Sequence, residues 1–228
     1  MSDDRHSVAE TASLLKDPQE IALREAENGI KQFDLAVEMI RSFVKDKERP
    51  FRLRSPLILQ LHQAALDGIH PLAGTWRNTK VAIGKSKHVP PEAAFVSEEI
   101  QLLCDYVNKN WAMMNADHLG AYVLWKLNWI HPFADGNGRT ARAVSYVVMS
   151  AKLDSLLPGA PTIPEQIAVD KRPYYKALEA ADQHQIDGKV DVSDLETMLN
   201  AMLATQLLNA HKQASGEIAS LGVDRNFH

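Results

Sequence analysis

The sequence is poor in cysteine and has no long apolar run, and both absences narrow the class of protein and the compartment to which it can belong. Its 228 residues contain one cysteine, Cys104, so no intramolecular disulfide can form, which fits a reducing compartment. No apolar segment reaches the about 18 to 20 residues that a membrane-spanning helix needs. The opening residues, MSDDRHSVAE, lack the apolar stretch of a signal peptide. We therefore expect a cytoplasmic protein without a membrane partner.

The chain also lacks a surplus of basic residues. It has 25 Lys and Arg against 29 Asp and Glu, which gives a formal net charge of -4 at pH 7. A bare nucleic-acid-binding protein normally presents a basic face, so we expect no direct contact with nucleic acid. There is no internal repeat and no low-complexity linker. The length allows one large domain, or a main domain with a terminal arm.

Most of the chain carries helical periodicity. After Pro18, apolar residues recur at steps of three and four, at Ile30, Phe33, Val37, Ile40 and Val44. The pair Asn28–Gly29 predicts a kink between a short helix, about 18–27, and a longer one that ends near residue 47. The expected organisation is a flexible arm over 1–17, a short helix over 18–29, a main domain over 30–210 and a flexible tail over 211–228.

One segment has a different pattern. Residues 72–91, LAGTWRNTKVAIGKSKHVPP, alternate around Val81 and Ile83, contain glycines at 74 and 84, and end in two prolines. These features predict a short β-hairpin, the only β element that we expect. An isolated hairpin is marginally stable in water, so it should lean on the helices or move. The predicted fold class is all-α, a helical domain with one short hairpin.

The most informative stretch is IHPFADGNGRTAR, residues 130–142. Pro132 and the two glycines are unfavourable inside a helix, so one helix should end near Ile130 and the next should begin between Asn137 and Arg139. A glycine-containing turn that leads into a helix presents backbone N–H groups and the positive end of the helix dipole. Such a turn binds anions, and phosphates above all.

The side chains of this stretch indicate what it does with a phosphate. Arg139 and Arg142 lie on one side of the new helix, and guanidinium groups bind phosphate oxygens well. Asp135 can hold Mg²⁺, which favours one or two carboxylates together with substrate phosphates. His131 can accept a proton near neutral pH. The set predicts transfer of a phosphate-containing group to a hydroxyl; the alternative is an ordinary turn at a helix end.

The same stretch resembles the signature of the Fic family. HPFADGNGRTAR fills every fixed position of His-x-Phe-x-(Asp/Glu)-Gly-Asn-Gly-Arg-x-x-Arg. GTWRNTKVAIG is similar to the flap hairpin of the family, and YYKALEAAD to its downstream helix, so the resemblance covers roughly residues 20–205. It implies the Fic-domain helical bundle. It also implies protein adenylyltransferase activity, in which AMP passes from ATP to a Ser, Thr or Tyr hydroxyl and pyrophosphate is released.

The resemblance assigns a role to each motif residue. His131 would deprotonate the hydroxyl, Phe133 would anchor the loop and Asp135 would hold Mg²⁺. Five residues would bind the phosphates of ATP, with the γ-phosphate on the last: Gly136, Asn137, Gly138, Arg139 and Arg142.

The resemblance also implies a protein partner. The flap would add a strand of the target protein to its edge and so place the target hydroxyl at the site. The flap residues expected to do this are Thr79, Lys80, Val81, Ala82, Ile83 and Gly84. A homodimer is a further expectation, because family members often dimerise.

Two positions depart from the family pattern. The first is Asp182, where the family often has Asn; Asp182 and Tyr175 would lie beside the base of the nucleotide. The use of nucleotides other than ATP therefore stays open. The family's inhibitory helix follows (Ser/Thr)-x-x-x-Glu-(Gly/Asn), and LREAEN places Glu27 correctly but has Leu23 at the Ser/Thr position. The hypothesis is autoinhibition through a Glu27–Arg142 pair; the alternative is a solvated charge on an amphipathic helix.

Three other functions stay open at this stage. One is the phosphotransfer branch of the family, although that branch goes with a lysine-containing anion hole. The second is removal of AMP from modified proteins, with Glu27 positioning a water. The third is a regulatory binding protein, which would not require both His131 and Asp135.

The remaining histidines and tryptophans carry no recognisable site. The histidines 62, 70, 88, 118 and 184 lack the spacing of metal ligands, so we interpret them as surface or core residues. The tryptophans 111, 125 and 129 are interpreted as core.

Overall fold

Helices make up nearly all of the regular structure in the computed structural model, which describes residues 7–8, 14–186 and 190–216. The all-α class is thereby confirmed. The helices are α1 (Pro18–Lys45), α2 (Ser55–Leu66), α3 (Val96–Asn110), α4 (Ala116–Ile130), α5 (Asn137–Lys152), α6 (Ile163–Val169), α7 (Arg172–Ile186) and α8 (Ser193–Ala214). Two short strands, β1 (Ser7–Val8) and β2 (Ala82–Ile83), pair antiparallel.

Helix α4 is the centre of the fold. Its residues are buried continuously from Leu119 to Leu127, and the one charged side chain among them, Lys126, pairs with Glu99 of α3 at 2.9 Å. It packs on α5, α3, α7 and α8, while α1 and α2 cover α5. A Cβ at Gly120 would lie 2.4 Å from Cγ of Met149, so the glycine allows α4 and α5 to approach closely. This contact joins the first turns of α4 to the last turn of α5, so the two helices pack closely along their length.

Helix α1 runs without a break from Pro18 to Lys45, so the kink expected at Asn28–Gly29 is wrong. Asn28 is fully buried, and its Nδ2 donates to the carbonyl of Asp67, just after α2, at 2.8 Å. One turn later, Nε2 of Gln32 donates to the carbonyl of Leu61 at 2.9 Å. A helical glycine costs about 1 kcal/mol, and these bonds to α2 offset it. The residues 18–29 are therefore part of the same helix as the start of the main domain.

Strand β2 pairs with β1 rather than with a second strand of its own segment. Ser7 is paired with Ile83, and Val8 with Ala82. The hairpin expected within 72–91 is therefore wrong in its pairing, although the segment does carry a strand. Within the arm expected over 1–17, Ser7–Val8 forms this strand; residues 1–6 and 9–13 lie outside the described residues.

Helix α8 crosses the position expected for the C-terminal end of the main domain. Helix α8 continues to Ala214, past the domain end expected at 210, and residues 217–228 of the expected tail lie outside the described residues. Within the described ranges, no helix combines the length and apolarity of a membrane span. Cys104 is a buried core residue, and burial raises the pKa of its thiol to about 12.

Candidate active site

The motif loop is shaped by two residues in the left-handed conformation. His131 (φ 50°, ψ 58°) is the C-cap of α4, and Gly136 (φ 73°) is the N-cap of α5. Both helix boundaries agree with those predicted from Pro132 and the glycines. A Cβ at Gly136 would also lie 2.4 Å from Cδ2 of Leu66, so only glycine fits there. At His131 the left-handed backbone costs about 1 to 3 kcal/mol, which is typical of functional residues.

The loop is closed on itself by Asn137. Its Oδ1 accepts from the backbone N–H of Phe133 at 2.9 Å, and its Nδ2 donates to the carbonyl of Phe133 at 2.8 Å. The ring of Phe133 is buried and packs against Trp76, with ring centroids 4.9 Å apart. Phe133 therefore anchors the loop in the core.

His62 of α2 packs against the motif loop and bonds to its backbone. Its ring stacks on Phe133 with centroids 3.6 Å apart, and its Nδ1 accepts from the N–H of Gly74 at 2.9 Å. Its Nε2 therefore carries the proton, which it donates to the carbonyl of Asp135 at 3.0 Å. Sequence reasoning treated His62 as a surface or core residue and missed this role. The available signal was a polar side chain on the apolar face of α2.

His131 is held as a neutral base. Its Nδ1 lies 3.3 Å from the carbonyl of Asn128, which can only accept, so Nδ1 carries the proton and Nε2 has its lone pair available. This Nε2 lies 2.8 Å from Oγ of Ser7. Burial lowers the pKa of His131 to about 4, and burial likewise lowers the pKa of His62 to about 4. Both rings are therefore uncharged at neutral pH.

These two histidines predict a loss of stability in acid. Both folded pKa values lie below the ordinary value of 6.5, so the stabilisation is fully present above about pH 6.5 and falls as the pH approaches 4. We expect each histidine to lower the free energy of unfolding by about 2 kcal/mol between pH 7 and pH 5. Urea denaturation at both pH values measures this loss, and His131→Gln should reduce it. His211→Asn, on the exposed side of α8, is the control; an equal loss in both variants would contradict the assignment.

Arg77 fastens the flap to the end of α4. The side chain is buried, and its guanidinium donates to the carbonyls of His131 at 2.8 Å, Thr79 at 3.0 Å and Pro91 at 2.5 Å. Its backbone N–H donates to the carbonyl of Pro132 at 2.9 Å. Arg77 thus ties both ends of the flap to the motif loop through side-chain and backbone bonds.

His88 adds a second attachment of the flap. Its Nε2 lies 2.7 Å from the carbonyl of Trp129, to which it donates. Neither Arg77 nor His88 was assigned a role from the sequence, because a single arginine or histidine in a loop carries no recognisable pattern. Their partners are backbone carbonyls, which every sequence supplies equally.

A cavity of ≈ 420 Å³ lies between the motif loop, the flap, α1 and α7. This volume is within the about 300 to 1,000 Å³ of small-molecule sites. The cavity brings together nine residues that the sequence assigned to the site: His131, Asp135, Gly136, Asn137, Gly138, Arg139, Arg142, Tyr175 and Asp182. Of the six flap residues, Ile83 lines it. Ser7 and Glu25 also line it, and sequence reasoning assigned a role to neither.

The charged groups of the cavity form a chain of contacts. Oδ1 of Asp135 accepts from the N–H of Gly136 at 2.7 Å, and Oδ2 lies 3.7 Å from Nη2 of Arg139. Nη1 of Arg139 lies 3.1 Å from Oε1 of Glu25. On the opposite side, Oδ1 of Asp182 accepts from Nε1 of the buried Trp125 at 2.9 Å. Arg139 is therefore the arginine that an acid of α1 reaches.

The structure does not bring Glu27 and Arg142 together. Glu27 lies 3.4 Å from Nε of Arg24, and its side chain is 51% exposed. Residues two apart on a helix point in different directions, so Glu25 faces the cavity while Glu27 does not. The expected Glu27–Arg142 pair is corrected to a Glu25–Arg139 pair.

One carboxylate of the cavity suits a metal ion. Within the described ranges, no group of three or more His, Cys, Asp or Glu side chains could hold a metal. Asp135 lines the cavity, and its side chain is partly exposed. Mg²⁺ favours this arrangement, in which one or two carboxylates act together with substrate phosphates. The site therefore fits Mg²⁺ in company with a phosphate-containing ligand.

The fold and site define a class of protein, an all-helical domain with a phosphate-binding loop, an adjoining base and a flap. Residues 52–149 match the model of the Fic/DOC family. The chain therefore carries a Fic/DOC domain, and the resemblance seen in the sequence is confirmed at the level of the family.

Similar proteins bear this out. A protein adenylyltransferase Fic of Nematostella vectensis is 30% identical over 161 residues, which are 70% of this chain and 35% of that protein. The protein adenylyltransferase fic-1 of Caenorhabditis elegans is 30% identical over 148 residues, 63% of this chain and 28% of that protein. The chain thus spans about a third of the length of these relatives.

Solved structures share the fold. Fic-1 of C. elegans superposes with a TM-score of 0.65 at 21% identity, over 89% of this chain and 56% of that chain. A Fic domain containing signaling protein of Bacteroides thetaiotaomicron gives a TM-score of 0.67 at 23% identity, over 85% and 74% of the two chains.

Proposed function

We propose that this chain is a protein adenylyltransferase, which moves AMP from ATP to a hydroxyl of a protein and releases pyrophosphate. One observation carries the proposal: Nε2 of His131, with its lone pair available, lies 2.8 Å from Oγ of Ser7, beside a cavity lined by the start of α5. A base, a hydroxyl and an anion site thus meet at one place. The names of the relatives support the same activity.

The phosphates of ATP would lie at the N-terminus of α5. The first N–H groups of a helix have no intrahelical partner and carry the positive end of the dipole, so Asn137, Gly138 and Arg139 can donate to phosphate oxygens. Arg139 and Arg142 line the same wall and add guanidinium donors. Asp135 would hold Mg²⁺, which would offset the charge of the phosphates.

His131 would remove the proton from the incoming hydroxyl. Its neutral Nε2 accepts the proton while the oxygen approaches the α-phosphorus, and Asn128 holds the ring in the required tautomer. The buried loop beneath it keeps His131 in position during the reaction. Positioning and charge stabilisation, rather than a covalent enzyme intermediate, would supply the rate.

The base of the nucleotide would lie towards α7. Tyr175 and Asp182 line that end of the cavity, and Trp125 fixes the Asp182 carboxylate. The Asp182 carboxylate can accept a hydrogen bond from the amino group of adenine, but also from the amino groups of other bases. A direct comparison of labelled nucleotides therefore tests the preference for ATP. The target protein would pair with the flap as an added strand along Ala82–Ile83. A cytoplasmic location would supply both ATP and protein targets.

The position of the label in ATP tests the proposal. Wild-type protein is incubated with a cell lysate, Mg²⁺ and ATP labelled on either the α- or the γ-phosphate. Lysate without the protein is the background, because its own kinases transfer γ-phosphate. Above that background, label from the α-position should appear on proteins, whereas label from the γ-position should not increase. Protein-bound γ-label above the background would indicate the phosphotransfer reaction of the family and would contradict the proposal.

We further propose that α1 restrains the site through Glu25. Its carboxylate lies 3.1 Å from Nη1 of Arg139 and lines the space where phosphates would bind. ATP would have to displace this carboxylate from the guanidinium. This replaces Glu27 as the inhibitory residue, since Glu27 pairs with Arg24.

Glu25→Gln is therefore expected to lower the KM for ATP about fivefold, the size of a partly exposed ion pair. Glutamine keeps the shape and the helix but removes the competing charge. Steady-state transfer at varied ATP concentration measures the effect. Glu27→Gln is the matched control and should behave as wild type; activation by Glu27→Gln alone would restore the original hypothesis and contradict this one.

A further inference from the structure

The N-terminal strand occupies the place proposed for a protein target. Ser7–Val8 pairs antiparallel with Ala82–Ile83 of the flap, the edge along which a target strand would bind. The strand belongs to the same chain as the catalytic residues. An intramolecular segment therefore already makes the backbone contacts expected of a substrate.

The hydroxyl of Ser7 is also in the required place. Its hydrogen points to Nε2 of His131, because Nδ1 of that ring carries the proton, and the O···N distance is 2.8 Å. Nδ2 of Asn137 donates to the same oxygen at 3.1 Å. The oxygen thus gives its proton to the base and accepts from a residue of the phosphate-binding loop. Ser7 lines the cavity together with Arg139 and Arg142.

We infer that Ser7 is an acceptor for AMP in the same molecule, so that the N-terminal strand is a built-in substrate of this site. The inference rests on the proposed function and goes beyond it by naming one modified residue. It also assigns a role to a serine that belongs to no recognisable sequence motif.

The reaction balances without a further reactant. Ser7 Oγ bonds to the α-phosphorus of ATP, while the bond from that phosphorus to the oxygen bridging the β-phosphorus breaks. Pyrophosphate leaves with the electron pair of the broken bond, and the proton of the hydroxyl passes to Nε2 of His131. The products are a serine–AMP phosphodiester, pyrophosphate and a proton released from His131.

The attachment of the arm favours reaction within one molecule. The backbone N–H of Leu14, seven positions after Ser7, donates to the carbonyl of Ile69 at 2.8 Å. A tether this short gives an effective concentration of about millimolar. The N-terminal strand of a second copy of this protein, at micromolar concentration, would compete poorly with the chain's own strand for the flap.

Peptide mapping tests the inference. Wild type, Ser7→Ala, Ser13→Ala and His131→Asn are each incubated with Mg²⁺ and ATP, with and without Glu25→Gln, so that the restraint by α1 does not hide transfer. Trypsin releases residues 6–16, HSVAETASLLK, which contain the hydroxyls of Ser7, Thr11 and Ser13. Fragment spectra then place the added AMP on one of them. Ser13→Ala is the matched control on the same peptide.

The expected result is AMP on Ser7 in wild type and Ser13→Ala, and none in Ser7→Ala or His131→Asn. The labelled fraction at a given time should not change when the protein is diluted. AMP on another residue, retained in Ser7→Ala, would overturn the inference, and a labelled fraction proportional to protein concentration would overturn its intramolecular part.

A parallel reaction with lysate proteins separates a failure of the Ser7 inference from a failure of the proposed function. If lysate proteins gain α-label and Ser7 gains none, the inference falls and the proposed function stands. If neither gains label in any variant, both fall.

Discussion

Replacing His131 with asparagine is expected to lower the rate of AMP transfer about 10²- to 10⁴-fold. The substitution removes the Nε2 lone pair that lies 2.8 Å from the docked hydroxyl. Asparagine tolerates the left-handed backbone (φ 50°, ψ 58°) better than alanine does, so the loop should keep its shape. Single-turnover transfer from α-labelled ATP measures the loss.

Nucleotide binding distinguishes a lost base from a damaged loop. The phosphates would lie on the N-terminus of α5 and on its arginines, so calorimetric ATP binding by His131→Asn should match that of wild type. His211→Asn, on the exposed side of α8, should change neither binding nor rate. A His131→Asn protein that transfers AMP at the wild-type rate would show that another group takes the proton.

Arg77→Ala is expected to destabilise the protein by about 3 kcal/mol. The guanidinium donates to the carbonyls of His131, Thr79 and Pro91, and the side chain is only 2% exposed. Alanine would leave these buried carbonyls without their donor and would weaken the attachment of the flap to the end of α4, where the His88 bond to Trp129 would remain. Urea denaturation measures the change in the free energy of unfolding. Transfer to protein targets should fall as well, because the flap is the edge on which we propose that the target strand pairs.

Two further variants sharpen this prediction. Arg77→Lys keeps the charge but not the planar fork, so it should recover only part of the stability. Arg41→Ala, on the exposed side of α1, should have almost no effect. Equal denaturation midpoints for Arg77→Ala and Arg41→Ala would contradict the role given to Arg77.

The motif loop was predictable because local chemistry decides its shape. Pro132 ends α4 and the glycines allow the turn into α5, so both helix ends follow from a few neighbouring residues. The groups that would contact the phosphates also come from this one stretch. Local rules were sufficient there.

Long-range contacts decided the features that could not be predicted. The glycine at 29 predicts a kink, but the buried amide of Asn28 bonds to the backbone after α2 and α1 stays whole. The pairing of β1 with β2 joins two-residue strands about 75 positions apart, and no periodicity is visible over two residues. Local pattern carries no information on either contact.

The acid of α1 that reaches the site shows the limit of matching a pattern by spacing. The spacing rule selects Glu27, whereas the rotation of α1 on α5 directs Glu25 to Arg139. A helix turns about 100° per residue, so an offset of two positions moves a side chain to another face. Which acid reaches the site depends on tertiary packing.

The central claim is that this site passes AMP, and not phosphate, to a protein hydroxyl through His131. The most direct measurement counts the products of one reaction with Mg²⁺ and ATP, namely protein-bound AMP and free pyrophosphate. The account predicts equal amounts of the two in wild type and neither in His131→Asn. Phosphorylated protein with ADP as the released product, or equal product formation by His131→Asn, would contradict it.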